Sequence, residues 1–362
     1  MRFFTFLAIF GLSVGTVAGL DCQQIPSTKI YDGSNFFWPG TNSTAYVPIP
    51  PNFDCTYVIS PITNSSLLYA KVYLSNLLHG VNDRITVIDS LGTKTVLTSR
   101  SDSYLTYDLF PGKPMTIQVT TKSVNMNSEF LIQVAYHNVK VGPTRQLKTG
   151  EAMNYVDMSD LRGETVGYMN SVTLKGTEAL SLSMAVFRSE YPTLYLFNTY
   201  VIDGDFYNPI SIHRLIDFTL TTPLVTSSNT VTIVSFQTLA YYDTAVVINP
   251  LSEAQQFESL TAAASPGGEM ERVSLNGDKE AVEVLAVEAN EITMASLHFN
   301  GPITSSCIAK VVTGPPNSSS QVLLDLTKAE NLMPYTFKLK YFSVIAQNCS
   351  FTFSVTSPDV PK

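Results

Sequence analysis

An all-β fold is what this sequence predicts, arranged as tandem antiparallel β-sandwich modules. Three observations lead there. Apolar and polar residues alternate with period two from end to end. Helical periodicity is nearly absent, and Gly, Pro, Asn and Asp punctuate the alternation at short intervals.

The chain opens on a leader. Residues 3 to 18 are almost wholly apolar or small, with Arg2 ahead and Val17-Ala18-Gly19 behind, the pattern of a signal peptide over residues 1–19. That apolar run is shorter than the ~20 residues a membrane span needs, and the C-terminal SVTSPDVPK is too polar for a lipid-anchor signal. The expected product is extracellular, with no integral membrane span.

The first module is expected over residues 20–138. Cys22 precedes YVPIPPNFDCTYVI at residues 46–59, where Cys55, Tyr57 and Ile59 fall on one face of a strand. Leu68, Ala70, Val72 and Leu74 then alternate with Tyr69, Lys71 and Tyr73; Ile85 and Val87 follow, then Met115, Ile117 and Val119, then Phe130, Ile132, Val134 and Tyr136. Turn signals at residues 79–83, 90–92 and 111–114 separate these strands. With no crossover helix between them, the strands are expected to pair antiparallel.

VKVGPTRQLKTG at residues 139–150 reads as a seam. A second module is expected over residues 145–250, in ALSLSMAVF, TLYLFNTYV, ISIHRLIDFTL and TVTIVSF. It carries no cysteine and reads either as an independent sandwich or as part of its neighbour. A second seam follows at residues 250–270, where LSEAQQFESLTAAA reads as one short helix. A third module is expected over residues 265–358, with Phe337, Leu339 and Tyr341 on one face of a strand and Phe351, Phe353 and Val355 on another. All three modules end alike, on a strand, a polar gap and a final strand.

Four cysteines in an exported chain point to disulfides. Three pairings are possible. Joining neighbours, Cys22 with Cys55 and Cys307 with Cys349, keeps each bridge inside one predicted module, where each adds roughly 4 kcal/mol on the chain-entropy model. No two cysteines are spaced as metal ligands, and no cofactor or metal is expected. Asn42, Asn64, Asn317 and Asn348 begin N-x-S/T sequons and are candidate glycan acceptors; Asn348, beside Cys349, is the poorest of the four.

With a net charge of −8 and only 14% charged residues, the chain lacks the clustered Lys and Arg that a nucleic-acid partner requires. His79, His137, His213 and His298 are scattered, and there is no G-x-S-x-G, phosphate loop or H-E-x-x-H. Asp203-Gly204-Asp205 reads as a hairpin turn. The aromatic residues carry the binding candidates. Phe37 and Trp38, in Phe36-Phe37-Trp38 between the first two cysteines, are expected in a loop where a ring either stacks on a ligand or closes the core; Tyr241 and Tyr242 form a second pair.

The first segment resembles a CUB domain, and more closely the CUB-like domain of secreted nematode proteins. The resemblance rests on Cys22, Pro48-x-Pro50-Pro51 ahead of Cys55-Thr-Tyr57-x-Ile59, the string Asp83-Arg-Ile85-Thr-Val87-Ile-Asp89, and the closing strand Phe130 to Tyr136. It implies a jelly-roll sandwich. The family's second disulfide has no counterpart in residues 56–138. Of its three calcium-binding acids only Asp83 has a match, so Asp83 and Asp89 are expected to cap turns instead.

The layout of the chain is similar to the infection- and stress-responsive members of that group. It implies a secreted, non-enzymatic recognition protein of innate defence whose partner is a microbial or host glycan or glycoprotein. Two alternatives are a secreted hydrolase acting on carbohydrate, through a carboxylate pair that leaves no spacing in sequence, and a structural protein of an extracellular coat.

Overall fold

A computed structural model of the chain describes residues 22, 24–40, 46–61, 67–122, 127–161, 169–186, 198–217, 222–236, 244–286 and 288–359. The predicted leader, Asn42, Asn64, Tyr241 and Tyr242 lie outside these residues. The chain is nearly all β and forms two compact units, Met1–Asn138 and Val139–Lys362.

The first unit is one sandwich of eight described strands: β1 (Asn35–Trp38), β2 (Asp54–Ile59), β3 (Leu68–Leu77), β4 (Arg84–Ile88), β5 (Lys94–Leu97), β6 (Tyr104–Leu109), β7 (Met115–Thr120) and β8 (Glu129–Asn138). They make two antiparallel sheets, β1-β8-β3-β6 and β2-β7-β4-β5. The alternation seen in sequence becomes the inward face: Cys55, Tyr57 and Ile59 of β2, Leu68 to Leu74 at every second position of β3, and Ile117, Val119, Ile132 and Val134 are all buried in one core. Cys22 bonds Cys55 and so ties the N-terminal segment to β2.

Phe36, Phe37 and Trp38 are not in a loop. They lie on β1, in register with β8 from Asn35 opposite Ala135 to Trp38 opposite Ile132. Phe36 and Trp38 alternate inward, and Trp38, only 8% exposed, packs against Tyr57 with ring centroids 5.4 Å apart and the planes tilted by 47°. A core that needs these two rings, and a β8 edge that needs ladder partners, together convert the expected loop into an edge strand.

The second unit holds two further sandwiches. The first of them consists of β9 (Thr144–Gln146), β10 (Tyr155–Asp157), β11 (Asn170–Lys175), β12 (Leu180–Val186), β13 (Thr199–Gly204), β14 (Pro209–Arg214), β15 (Leu224–Val225), β16 (Thr230–Ser235) and β17 (Thr244–Pro250). Its sheets run β10-β17-β12-β15 and β14-β13-β16-β11-β9. After α1 (Leu251–Ala254) come β18 (Ser259–Ala264), β19 (Glu271–Leu275), β20 (Lys279–Leu285), β21 (Ile292–Phe299), β22 (Ile308–Thr313), β23 (Val322–Asp325), β24 (Tyr335–Phe337), β25 (Tyr341–Gln347) and β26 (Phe351–Thr356). Their sheets run β19-β26-β21-β24 and β18-β20-β25-β22-β23.

These orders repeat. β1 to β8, β10 to β17 and β19 to β26 each connect the same positions of two facing sheets in the same sequence. The chain is therefore three copies of one jelly-roll topology. The second and third copies add a lead-in strand, β9 or β18, parallel to the strand two places on. Parallel pairing normally calls for a helical crossover; here the intervening strand crosses through the facing sheet instead.

Two sequence expectations change in this unit. Only Leu251–Ala254 of LSEAQQFESLTAAA is helical, because SLTAAA pairs residue for residue with β20 as a strand. Likewise Phe337, Leu339 and Tyr341 do not share a strand face. The chain leaves one sheet after Phe337 and enters the other at Tyr341, so Phe342, Val344 and Ala346 become the inward positions. Cys307 bonds Cys349, joining the segment before β22 to the start of β26.

Every residue of β12 and nearly every residue of β17 is buried, on both faces. One face fills the second sandwich with Leu182, Met184, Val246 and Ile248. The other, through Ala185, Ala245 and Val247, packs on Ala264 and Leu285 of the third. Small residues there let the sheets approach, and two polar pairs meet across the seam. Ser183 donates to the Leu260 carbonyl at 3.1 Å, and the Asn249 amide donates to the fully buried Glu283 carboxyl at 2.5 Å.

Candidate recognition surface

β3 is antiparallel to both β8 and β6, and its outward phase is Tyr69, Lys71, Tyr73 and Ser75. The register aligns Phe37, Gln133, Tyr73 and Thr106 in one row across the sheet β1-β8-β3-β6. Tyr104 lies diagonally from Tyr73, at the spacing where cross-strand aromatic rings meet, and the two rings stack with centroids 6.3 Å apart. Tyr104 is 60% exposed and Tyr46, ahead of β2, is 41% exposed. Burial, and then the neighbouring Tyr73 and Tyr46 hydroxyls, raise the Tyr104 pKa, so these three phenols form one cluster.

In the adjacent row Ala135, Lys71 and Asp108 stand side by side. Lys71 Nζ lies 3.8 Å from Asp108 Oδ1. Burial pushes the Asp108 carboxyl up to about 6 against the pull of Lys71. One row further, His137 packs on Tyr69 at 5.4 Å, and its burial lowers its pKa. The charges close to the tyrosines are thus internally compensated, and what Phe37, Tyr46, Tyr73 and Tyr104 offer is flat ring area with hydroxyl groups beside neutral Gln133 and Thr106.

Asp83 and Asp89 hold turns. Asp83, 1% exposed, accepts from the Lys122 N–H at 2.8 Å and from Ser128 Oγ at 2.5 Å, while Ser128 Oγ accepts the His79 and Gly80 N–H groups. Asp89 accepts from Leu91 and Thr93. Among the described residues no group of three His, Cys, Asp or Glu is placed to hold a metal ion. Asp203-Gly204 closes β13, and Asp205 caps the hairpin turn by accepting from the N–H groups of Tyr207 and Asn208. Asp203 is buried and receives Ser227 and Ser228.

Of the sequons in the described residues, Asn348 is exposed, with φ +55° in the turn before Cys349. Asn317 is half-buried, and its amide nitrogen donates to the Gly150 carbonyl at 2.9 Å and toward Glu253 at 3.3 Å. Of the four aromatic candidates, Trp38 is a core residue and Phe37 keeps one half-exposed face; Tyr46, Tyr73 and Tyr104 are the residues the sequence reading missed. Their signal was aromatic residues in the outward phase of a half-buried sheet, where polar side chains are the norm.

Residues 17–140 match the family described as the CUB-like domain. The chain carries a CUB-like domain. The match covers the first sandwich and its leading segment, the part that holds the tyrosine cluster, and domains of this kind are extracellular recognition or binding modules, generally without catalysis. No curated protein matches the chain. Among solved structures it is similar to the CUB1-EGF-CUB2 domains of rat MASP-1, at 11% identity over 60% of this chain and 96% of that one, with a TM-score of 0.22. It is also similar to a triple jelly roll protein of an archaeal virus, at 10% identity over 90% of this chain and 87% of that one, with a TM-score of 0.22. The CUB-like fold and the two disulfides are features typical of extracellular proteins. No helix among the described residues is long and apolar enough to cross a membrane.

Proposed function

We propose that this chain is a secreted, non-enzymatic recognition protein whose CUB-like domain binds neutral glycans, free or on glycoproteins, through Tyr46, Tyr73, Tyr104 and Phe37. The observation that carries the reading is the stacked Tyr73–Tyr104 pair, exposed on a sheet face whose nearest charges, Lys71 and Asp108, compensate each other. Ring faces accept the C–H face of a sugar, and phenolic hydroxyls accept and donate hydrogen bonds to its hydroxyls. A charged ligand would find no uncompensated partner there. The apolar leader supports export, and resemblance to the nematode infection- and stress-responsive group supports a place in innate defence at an epithelial surface.

A glycan and glycoprotein array probed with the mature protein tests this. Selective retention is expected, and Tyr73→Ala/Tyr104→Ala is expected to weaken it at least tenfold, about 1.4 kcal/mol or more. Silence across the array with the fold intact, or retention untouched by the double variant, contradicts the proposal.

A further inference from the structure

The sheet β1-β8-β3-β6, which presents the tyrosine cluster, is poor in charge. Its four strands hold one lysine, Lys71, no arginine, one histidine, His137, and two carboxylates, Asp108 and Glu129. Three outward pairs join β3 to β6: Ser75 with Tyr104, Tyr73 with Thr106, and Lys71 with Asp108. The first two are neutral. The third sets an ion pair in the row next to Tyr73, on the same face.

Lys71 and Asp108 are close but not hydrogen-bonded. Their side chains are 14% and 2% exposed, and Nζ stands 3.8 Å from Oδ1, too far for a hydrogen bond. Among the described residues Asp108 Oδ1 has no hydrogen-bond partner. The carboxylate is nevertheless felt at the cluster: burial, and then the Asp108 charge, raise the Tyr73 pKa. On the other side of Lys71 stands His137, whose pKa is lowered by burial and by Lys71 while Asp32 opposes them. Glu129 lies opposite Leu77, at the far end of β3 from Lys71. Six residues at about 3.3 Å each put it ~20 Å away, beyond two Debye lengths of ~8 Å. Arg100 and Asp102 belong to the turn that Asn76 holds at that same end. They are exposed and opposite in sign, and the charges that shift the Tyr104 phenol come from Tyr73 and Tyr46. Tyr73 therefore meets one cation and one carboxylate, Lys71 and Asp108.

We propose that Asp108 selects the charge class of glycan that the tyrosine face accepts, which rests on that face being the glycan site. Ionised, Asp108 cancels Lys71, and the face admits neutral glycans. Neutralised, it frees Lys71 to bind the sulfate or carboxylate of an anionic glycan beside Tyr73. Lys71 suits the exchange, because its ammonium rides on a flexible four-carbon stem and can leave Asp108 for a ligand oxygen while the strand stays in place. Acid performs the neutralisation. Burial pushes the Asp108 carboxyl up to about 6 from 3.8, with Lys71 pulling the other way, so it is ionised at pH 7.5 and protonated at pH 5.

Biolayer interferometry of the full chain on galactose- and N-acetylglucosamine-terminated glycans and on their 6-O-sulfated counterparts tests this. Sulfate stays ionised throughout, so only the protein titrates. At pH 7.5 the natural chain is expected to prefer the unsulfated glycans. Asp108→Asn, which keeps the shape and removes the charge, is expected to bind a sulfated counterpart at least about tenfold more tightly than the natural chain does. The natural chain is expected to make the same gain on moving from pH 7.5 to pH 5. Adding Lys71→Met to Asp108→Asn is expected to erase the gain at pH 7.5, where His137 is neutral, which separates Lys71 from His137 and from Arg100. A gain that survives Lys71→Met overturns the proposal. With unsulfated glycans bound by the natural chain, absence of the gain in Asp108→Asn overturns the proposal alone; if that variant does not fold, the natural chain at pH 5 decides in the same way. No binding of unsulfated glycans by the natural chain removes the reading of the face, and the proposal with it.

Discussion

Trp38→Ala is expected to destabilise the first unit by about 3–5 kcal/mol, the cost of emptying a buried tryptophan site. Trp38 is the chain's only tryptophan, buried against Tyr57 on an edge strand that closes the core. Its neighbour Phe37 faces outward, so Phe37→Ala is expected to cost well under half as much. In the natural chain, denaturant unfolding followed by tryptophan emission reports this unit alone, starting from a blue-shifted, quencher-resistant signal. The variants are compared by circular dichroism. Equal costs for the two substitutions, or an emission spectrum typical of exposed indole, would place Trp38 outside the core.

A second large effect is expected from Glu283, at the packing seam between the second and third sandwiches. Its side chain is fully buried, Oε1 has no hydrogen-bond partner, and Oε2 receives Asn249. Facing it are Ser343 across the β20–β25 ladder and Ala262 across the β18–β20 ladder, and the charge of Glu253 adds to its load. Burial is the main reason its pKa rises to about 8 from 4.5. The sign follows directly. Below pH 4.5 the carboxyl is protonated folded or unfolded, and stability is at its fullest. Between 4.5 and about 8 only the unfolded chain releases the proton, so stability falls by about 1.4 kcal/mol per pH unit before levelling off. Glu283→Gln removes that slope. Its melting temperature is expected to match the natural chain near pH 4 and exceed it above pH 7; parallel profiles for the two proteins would show that Glu283 does not titrate across the seam.

Most of the sandwich architecture was legible because its strands are half-buried. β2, β7 and β8 show their inward residues at every second position, and period two is all a strand on one core needs. The reading weakened where a strand serves two cores. β12, ALSLSMAVF in the sequence, carries Leu180, Leu182 and Met184 toward one core and Ser181, Ser183 and Ala185 toward a neighbouring sandwich, so small and polar residues look like a solvent face although they are buried. β18 was lost for a related reason. Alanine and serine at its positions have no strong strand preference, and only pairing with β20 decides them.

The tyrosine cluster was hidden differently. Tyr73 and Tyr104 are 31 positions apart, and what joins them is the β3–β6 register. No local pattern encodes that register. Phe37 and Trp38 were visible as a pair, but adjacency on a strand sends two side chains to opposite faces, which is why one closes the core and the other borders the cluster.

Footprinting of tyrosines by hydroxyl radicals, read by mass spectrometry with and without the glycan retained on the array, tests the central claim most directly. The account predicts protection of Tyr46 and Tyr104 by bound glycan, while Tyr207, 68% exposed in the second unit, is modified equally in both states. Unchanged modification of Tyr46 and Tyr104 at saturating glycan would contradict it.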